Sequence, residues 1–338
     1  MTHEIKQLFH LASQWQQHGR KSVLVTVVAL DGSSYRRPGV RMLINDNDDV
    51  FGAVSGGCVE KEIQRQAQSV LKTNIPKMMT YDGRLRLGCE GILYILIEPL
   101  HLSDELLKTF NSVLKNRSTF KIESYFTSMV TESESLGTEI VLDGKRFSLR
   151  SEFKSSDKEK MECFTQTFPP LFQLYIFGAE HDAVQLSLAA SNLGWEVTIV
   201  ADPNESKTLD YFTGAAHLIT PTFEQLNTSE IDEQTAVILM THSFNKDVQY
   251  LMALKDVSPA YFGLLGSVHR RERILGKFLE YHPETDTEFL EQIYGPAGIN
   301  IGAESPAEIA ISVLAEVLSV VRKKTPMPLR EKIGNIHV

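Results

Sequence analysis

The chain of 338 residues has three cysteines, at positions 58, 89 and 163, and the first two stand in glycine turns. Cys58 lies in Gly52-Ala53-Val54-Ser55-Gly56-Gly57-Cys58-Val59-Glu60, and Cys89 lies in Leu87-Gly88-Cys89-Glu90-Gly91. Adjacent glycines reach backbone dihedrals closed to other residues, so successive N–H groups at Gly56 and Gly57 can turn inward around an anion. Val59, Ile63, Ala67, Val70 and Leu71 follow at helical spacing, which predicts that Cys58 stands at a helix N-terminus. The positive end of the helix macrodipole stabilises a thiolate or a bound phosphate there. The two cysteines, about thirty residues apart, can converge on one site. Neither belongs to a Cys-x-x-Cys pair and no histidine cluster accompanies them, so a structural zinc site is not expected. The competing reading of each is a small buried hydrophobe, the commoner fate of a single cysteine.

Arg36 and Arg37 follow the turn Asp31-Gly32-Ser33-Ser34, where they can neutralise a phosphate or simply make a solvated basic turn. In the second half, Thr241-His242-Ser243 follows an apolar run. His242 is therefore expected at the carboxyl end of a strand, where open α/β sheets bind ligands, although turn histidines also bond to backbone. Gly263-Leu264-Leu265-Gly266-Ser267 with Arg270, Arg271 and Arg273 reads as a strand–glycine–helix junction that can receive a phosphate, or else as a solvated basic helix face. A dinucleotide fingerprint requires Gly-x-Gly-x-x-Gly after the first strand, and the chain has Gly178-Ala179-Glu180-His181-Asp182-Ala183. Glu180 puts bulk and negative charge where the second glycine admits a pyrophosphate. That argues against NAD(P), even though Asp202 stands near the place of a ribose-binding acid.

Positioning these residues takes two domains, the number a chain of this length implies. Ile5, Leu8, Phe9, Ala12 and Trp15 predict an opening amphipathic helix closed by Gly19. Strands are expected at residues 22–30, 40–44, 50–54, 77–81 and 92–98, and a helix at 102–114. A β-rich extension from about residue 116 then runs as an antiparallel meander with a hairpin turn at Asp143-Gly144. Residues 151–170 are poor in apolar side chains, end in Pro169-Pro170 and read as a linker. Beyond them, strands alternate with helices, which implies a parallel, doubly wound sheet. Ser305, Pro306 and Glu308 mark the start of the last helix. The expected fold is α/β: an N-terminal α+β domain at 1–150, a linker at 151–170, a Rossmann-like domain at 171–325 and a tail at 326–338.

A formal net charge of −9 disfavours nucleic acid and acidic membranes as partners. No apolar run approaches the roughly 20 residues that span a bilayer. The first residues lack a secretion signal and the cysteines are few, so a cytoplasmic protein is expected.

The two cysteine segments, Thr241-His242, Gly263 through Ser267, and Gly302-Ala303-Glu304-Ser305-Pro306-Ala307-Glu308-Ile309-Ala310 together resemble the XdhC/CoxI family of molybdenum hydroxylase maturation factors, in order and across both halves. The resemblance implies a chaperone rather than an enzyme. Such a protein binds molybdenum cofactor, protects it while a cysteine desulfurase supplies its terminal sulfur, and delivers it to a xanthine dehydrogenase-type hydroxylase. It also implies that Cys58 touches the metal or its sulfur, with Cys89 second. The expected cofactor-binding set is Gly56, Gly57, Cys58, Glu60, Cys89, Arg36, Arg37, His242, Gly266, Ser267 and Arg270, in a homodimer. Glu180 and Ala201-Asp202-Pro203 depart from the family pattern. The alternatives are an NAD(P)-dependent oxidoreductase that uses the second domain, and a non-catalytic interaction scaffold.

Overall fold

Ile5, Leu8, Phe9 and Ala12 fall on one side of α1 (Thr2–Gln17) and are buried, so the helix forms by covering apolar surface. It stops at Gly19, whose φ of 72° lets Gly19 N–H donate to Gln16 O (3.0 Å) and Arg20 N–H to Trp15 O (2.9 Å). The computed structural model describes residues 1–32, 37–54, 59–85, 91–151, 153, 155–285 and 287–334, in two units, Met1–Pro170 and Leu171–Val338.

In the first unit α1 is followed by β1 (Ser22–Asp31), β2 (Arg41–Asn45), β3 (Val50–Gly52), α2 (Glu60–Thr73), β4 (Lys77–Asp82), β5 (Ile92–Leu100) and α3 (Asp104–Lys115). Then come β6 (Phe120–Phe126), β7 (Thr131–Glu132), β8 (Gly137–Leu142), β9 (Lys145–Ser148) and β10 (Glu162–Phe168). One antiparallel sheet has the order β3-β2-β1-β5-β4-β7 and a second has β10-β6-β8-β9. Helix α2 buries Val59, Ile63, Ala67 and Val70 against Val23, Val25, Val27, Ile95 and Ile97. In another core cluster Leu24 and Leu43 of the first sheet meet α1, α3 and the second sheet, where rings touch in series from Phe9 through Phe110 and Phe120 to Phe168, the last pair stacked.

Residues 151–170, expected as a linker, instead carry β10, which pairs with β6 from Glu162↔Phe126 to Phe168↔Phe120. Only Phe168 in that strand is fully buried, so its composition looks like solvent-facing chain although its backbone completes a sheet. The β-rich extension therefore runs past residue 150.

The second unit contains β11 (Gln173–Phe177), α4 (His181–Asn192), β12 (Glu196–Val200), β13 (His217–Ile219), β14 (Thr235–Leu239), α5 (Phe244–Ala253), β15 (Tyr261–Leu264), α6 (Val268–Tyr281), α7 (Thr287–Glu291), β16 (Ile293–Tyr294) and α8 (Pro306–Val321). Its sheet is parallel with order β13-β12-β11-β14-β15-β16, so the winding reverses between β11 and β14. One core cluster joins the sheet to α4 and α8 and another joins it to α5 and α6, the doubly wound arrangement. Every residue of β11, β14 and β15 is buried, which explains their unbroken apolar runs. Ser305 caps α8 with a full capping box to Glu308. Among the described residues no helix is long and apolar enough to cross a membrane.

Candidate functional site

Strand register brings the described flanks of the glycine and cysteine segments to one end of the first sheet. Asp31, the last residue of β1, pairs with Ile92, which also pairs with Asp82 of β4. Gly83 N–H donates to Gly91 O at 2.9 Å, so residues 83 and 91 bracket a loop beside Asp31. Gly39 N–H donates to Val27 O (2.8 Å) and Val27 N–H to Val40 O (3.0 Å), which returns the segment after Asp31 to the same end. Gly52 opposes Met42 and the chain beyond it heads the same way, since Val54 and Val59 are buried with Val27 and Leu93. Gly52 is required there: its φ is 81° and a Cβ would stand 2.7 Å from Arg41 O.

Arg36, Gly56, Gly57, Cys58 and Cys89 lie outside the described residues. Arg37 is exposed at this end, and its carbonyl accepts from Val40 N–H at 3.4 Å. Glu60 is the first residue of α2 and half-buried. The N-cap is Val59, a residue with no side-chain acceptor for the first-turn amides.

In the second unit the expected residues meet at the carboxyl edge of the parallel sheet. After β11, Gly178 adopts φ 142° and a Cβ would lie 2.5 Å from Met240 O, so this turn crosses hard against the end of β14. His242 follows β14 in the left-handed region (φ 55°), and its Nε2 is 3.1 Å from Asp182 Oδ2 at the start of α4. Asp247, 1% exposed, accepts from Thr241 N–H (3.2 Å), Thr241 Oγ1–H (2.6 Å) and Arg270 Nη2 (2.5 Å). Ser267 caps α6 by accepting Arg270 N–H at 3.2 Å. Gly266 has φ 128°, with space for a Cβ only 2.6 Å from Arg270 Cδ.

The three arginines of the junction, read from sequence as a phosphate receiver or a solvated basic face, each have a protein neighbour. Arg270 is paired with buried Asp247, Arg271 donates to Ile293 O and Leu290 O, and Arg273 lies 4.9 Å over the Phe244 ring. Asp202, at the end of β12, pairs with Lys246 Nζ at 2.8 Å, and this bond holds its carboxyl below the usual range. Glu180 is exposed at the N-cap of α4, and its side chain makes no cap bond.

Asp182, Asp247 and Lys246 were not legible as site residues, because their partners are distant in sequence. One signal was available for Asp247. It shares the i, i+3, i+4, i+7 stripe with Tyr250, Leu251 and Leu254, so an acid stands at a core position.

A unit of two antiparallel sheets, followed by a doubly wound parallel sheet, defines a two-part α/β protein with a Rossmann-type second half. Residues 174–317 match the family model described as the XdhC Rossmann domain, and residues 15–82 match that described as the XdhC and CoxI family. The chain belongs to the XdhC/CoxI family.

Among its relatives, a Bacillus subtilis protein described as a probable xanthine dehydrogenase component is 29% identical over 88% of this chain and 92% of its own length. The Escherichia coli molybdenum cofactor insertion chaperone PaoD is 26% identical over 95% of this chain and 90% of its own length. A crystal structure from Bacillus halodurans, described as a xanthine dehydrogenase, superposes with a TM-score of 0.74 at 27% identity, covering 94% of this chain and 96% of that one.

Proposed function

We propose that the chain is a molybdenum-cofactor chaperone that serves a xanthine dehydrogenase-type hydroxylase. The observation that carries this reading is likeness along nearly the whole chain to a cofactor insertion chaperone, together with the gathering of the flanks of all three glycine, arginine and cysteine segments at one sheet end. The cofactor joins a pterin, a phosphate and a dithiolene-held metal. The residues near that end fit such a group. Helix α2 begins directly after the Cys58 segment in sequence, and the positive end of its dipole favours a phosphate there. Arg37 adds positive charge, and Glu60 offers an acceptor to pterin N–H groups. Cys58, next in sequence to the α2 N-cap, supplies the soft thiolate for the metal or its sulfur, with Cys89 as a second thiol.

In this reading the protein holds the cofactor while a cysteine desulfurase supplies sulfur, hands it to the client, and works as a cytoplasmic homodimer. It binds and releases rather than turning over a free substrate. The test is copurification from cells that make the cofactor, with bound molybdenum measured by metal analysis and pterin by fluorescence after oxidation. Cys58→Ser is expected to lose most of both without a change in Tm. Equal retention in the variant would remove Cys58 from the site, and absence of both from the unaltered protein would refute the chaperone reading.

A further inference from the structure

The opposite end of the first sheet holds a separate recess. Where β1 begins at Ser22 and pairs with Leu100 at the end of β5, a cavity of about 310 Å³ opens beside the C-terminal ends of α1 and α2. The ten residues of β1 separate it from the glycine–cysteine end by about 30 Å. Arg20, Lys21, His101 and Arg150 line it with the neutral donors Ser22 and Asn74, and none of its lining residues is Asp or Glu. Leu71, Pro99 and Leu100 give it an apolar wall.

Basic residues beyond a helix C-terminus commonly do no more than offset the dipole. Here three of the last four carbonyls of α1 already have partners. Gln14 O accepts from His18 Nδ1 at 2.7 Å, Trp15 O from Arg20 N–H at 2.9 Å and Gln16 O from Gly19 N–H at 3.0 Å. Lys21 makes no ion pair or side-chain hydrogen bond among the described residues. Arg20 reaches Asp46 only at 3.8 Å, with both side chains well exposed. Arg150 donates to the Glu134 carbonyl and faces the charge of buried Glu98, so it contributes least. A donor-lined recess without carboxylates, in a chain of net charge −9, is built for an anion. Several cations around one small volume suit a dianionic phosphoryl group better than a single carboxylate. The volume is at the lower end of ligand cavities, about 300 to 1,000 Å³.

We propose that this recess binds a small phosphate monoester, with the phosphoryl group against Lys21, Arg20 and His101 and the organic body on Leu71, Pro99 and Leu100. The experiment is calorimetric titration of the full chain with ribose 5-phosphate, glycerol 3-phosphate and AMP, against sodium chloride at equal ionic strength. At least one ester is expected to bind saturably, about tenfold more weakly in Lys21→Ala, the loss of one charge-assisted contact, and more weakly again in Lys21→Ala/His101→Ala. Binding should be unchanged in Cys58→Ser and Ser267→Ala, which report on the other sheet end and on the second unit. The proposal is overturned by saturation with none of the three esters, by equal affinity in the double variant, or by loss in Cys58→Ser or Ser267→Ala. Both basic substitutions are at exposed side chains, so folding is not at stake.

Discussion

Replacing Asp247 tests the best-defined polar network in the second unit. The carboxylate is 1% exposed and accepts from the backbone and hydroxyl of Thr241 and from Arg270, whose side chain is 27% exposed. Removing one partner of a buried ion pair costs about 3–5 kcal/mol, because the other charge is left without compensation. Arg270 can partly rehydrate at its exposed fraction, so Asp247→Ala should cost near the lower figure, about 3 kcal/mol. Asp247→Asn keeps Oδ1 as an acceptor for Thr241 but turns an amide N–H toward Arg270, so it loses that bond as well as the charge and should cost about 2–3 kcal/mol. The two units need not unfold together, so the assay must report on the second alone. The chain has two tryptophans, Trp15 in the first unit and Trp195 in the second, so urea denaturation in a Trp15→Phe background follows Trp195. A double-mutant cycle with Arg270→Met should give a coupling of about 1–3 kcal/mol. A cost below about 1 kcal/mol for Asp247→Ala, or no coupling, would refute the network as drawn.

Two further predictions concern buried strain and charge. Glu98 is fully buried; desolvation pushes its carboxyl up to about 7, against hydrogen bonds from Thr138 and the charges of Arg150 and Arg41. A carboxyl raised in the folded state binds more protons there than when unfolded. Stability of the first unit should therefore fall as pH rises from about 4.5 to 7, by at most about 3 kcal/mol, and then level off. The carboxyls of Asp82, Glu123 and Glu62 are lowered and act below that window. Urea midpoints read from Trp15 in a Trp195→Phe background should lose this slope in Glu98→Gln; an unchanged slope would exclude Glu98 as its source. Gly178→Ala forces a side chain into φ 142° and against Met240 O at 2.5 Å, so it should destabilise the second unit by about 2 kcal/mol or more, read from Trp195. A neutral result would show that the turn shifts freely.

The parallel sheet was readable because strands buried on both faces leave continuous apolar runs, and because their turns need glycine at Gly178 and Gly266. His242 could be placed at a carboxyl edge for the same reason. Its partner could not, since Asp182 is sixty residues away and only the winding of β11 and β14 brings them together. The partners of Arg270, Arg271 and Arg273 were hidden for a related reason. A basic run on a helix looks solvated until its neighbours are known, and each of these has a protein partner. Strand β10 escaped notice because Glu162, Cys163, Thr165 and Thr167 look like linker residues, and only its pairing with β6 reveals a strand.

The charge pairs at the carboxyl edge bear on how a Rossmann-type half can persist without the full glycine fingerprint. Asp182 faces His242, Asp202 holds Lys246 and Asp247 holds Arg270, so the acids and bases that end the strands are largely satisfied within the unit. A ligand phosphate would have to compete with Asp247 for Arg270, and a ribose hydroxyl would have to compete with Lys246 for Asp202. Glu180 adds a carboxylate at the N-terminus of α4, the place where a pyrophosphate needs the helix dipole unopposed. Restoring glycine at residue 180 would remove only that last obstacle, since the two ion pairs would remain. At the glycine–cysteine end of the first unit the balance is different. There α2 begins and Arg37 stands exposed, so a helix dipole and a basic side chain, the general chemistry of anion binding, favour that end over the edge of the parallel sheet.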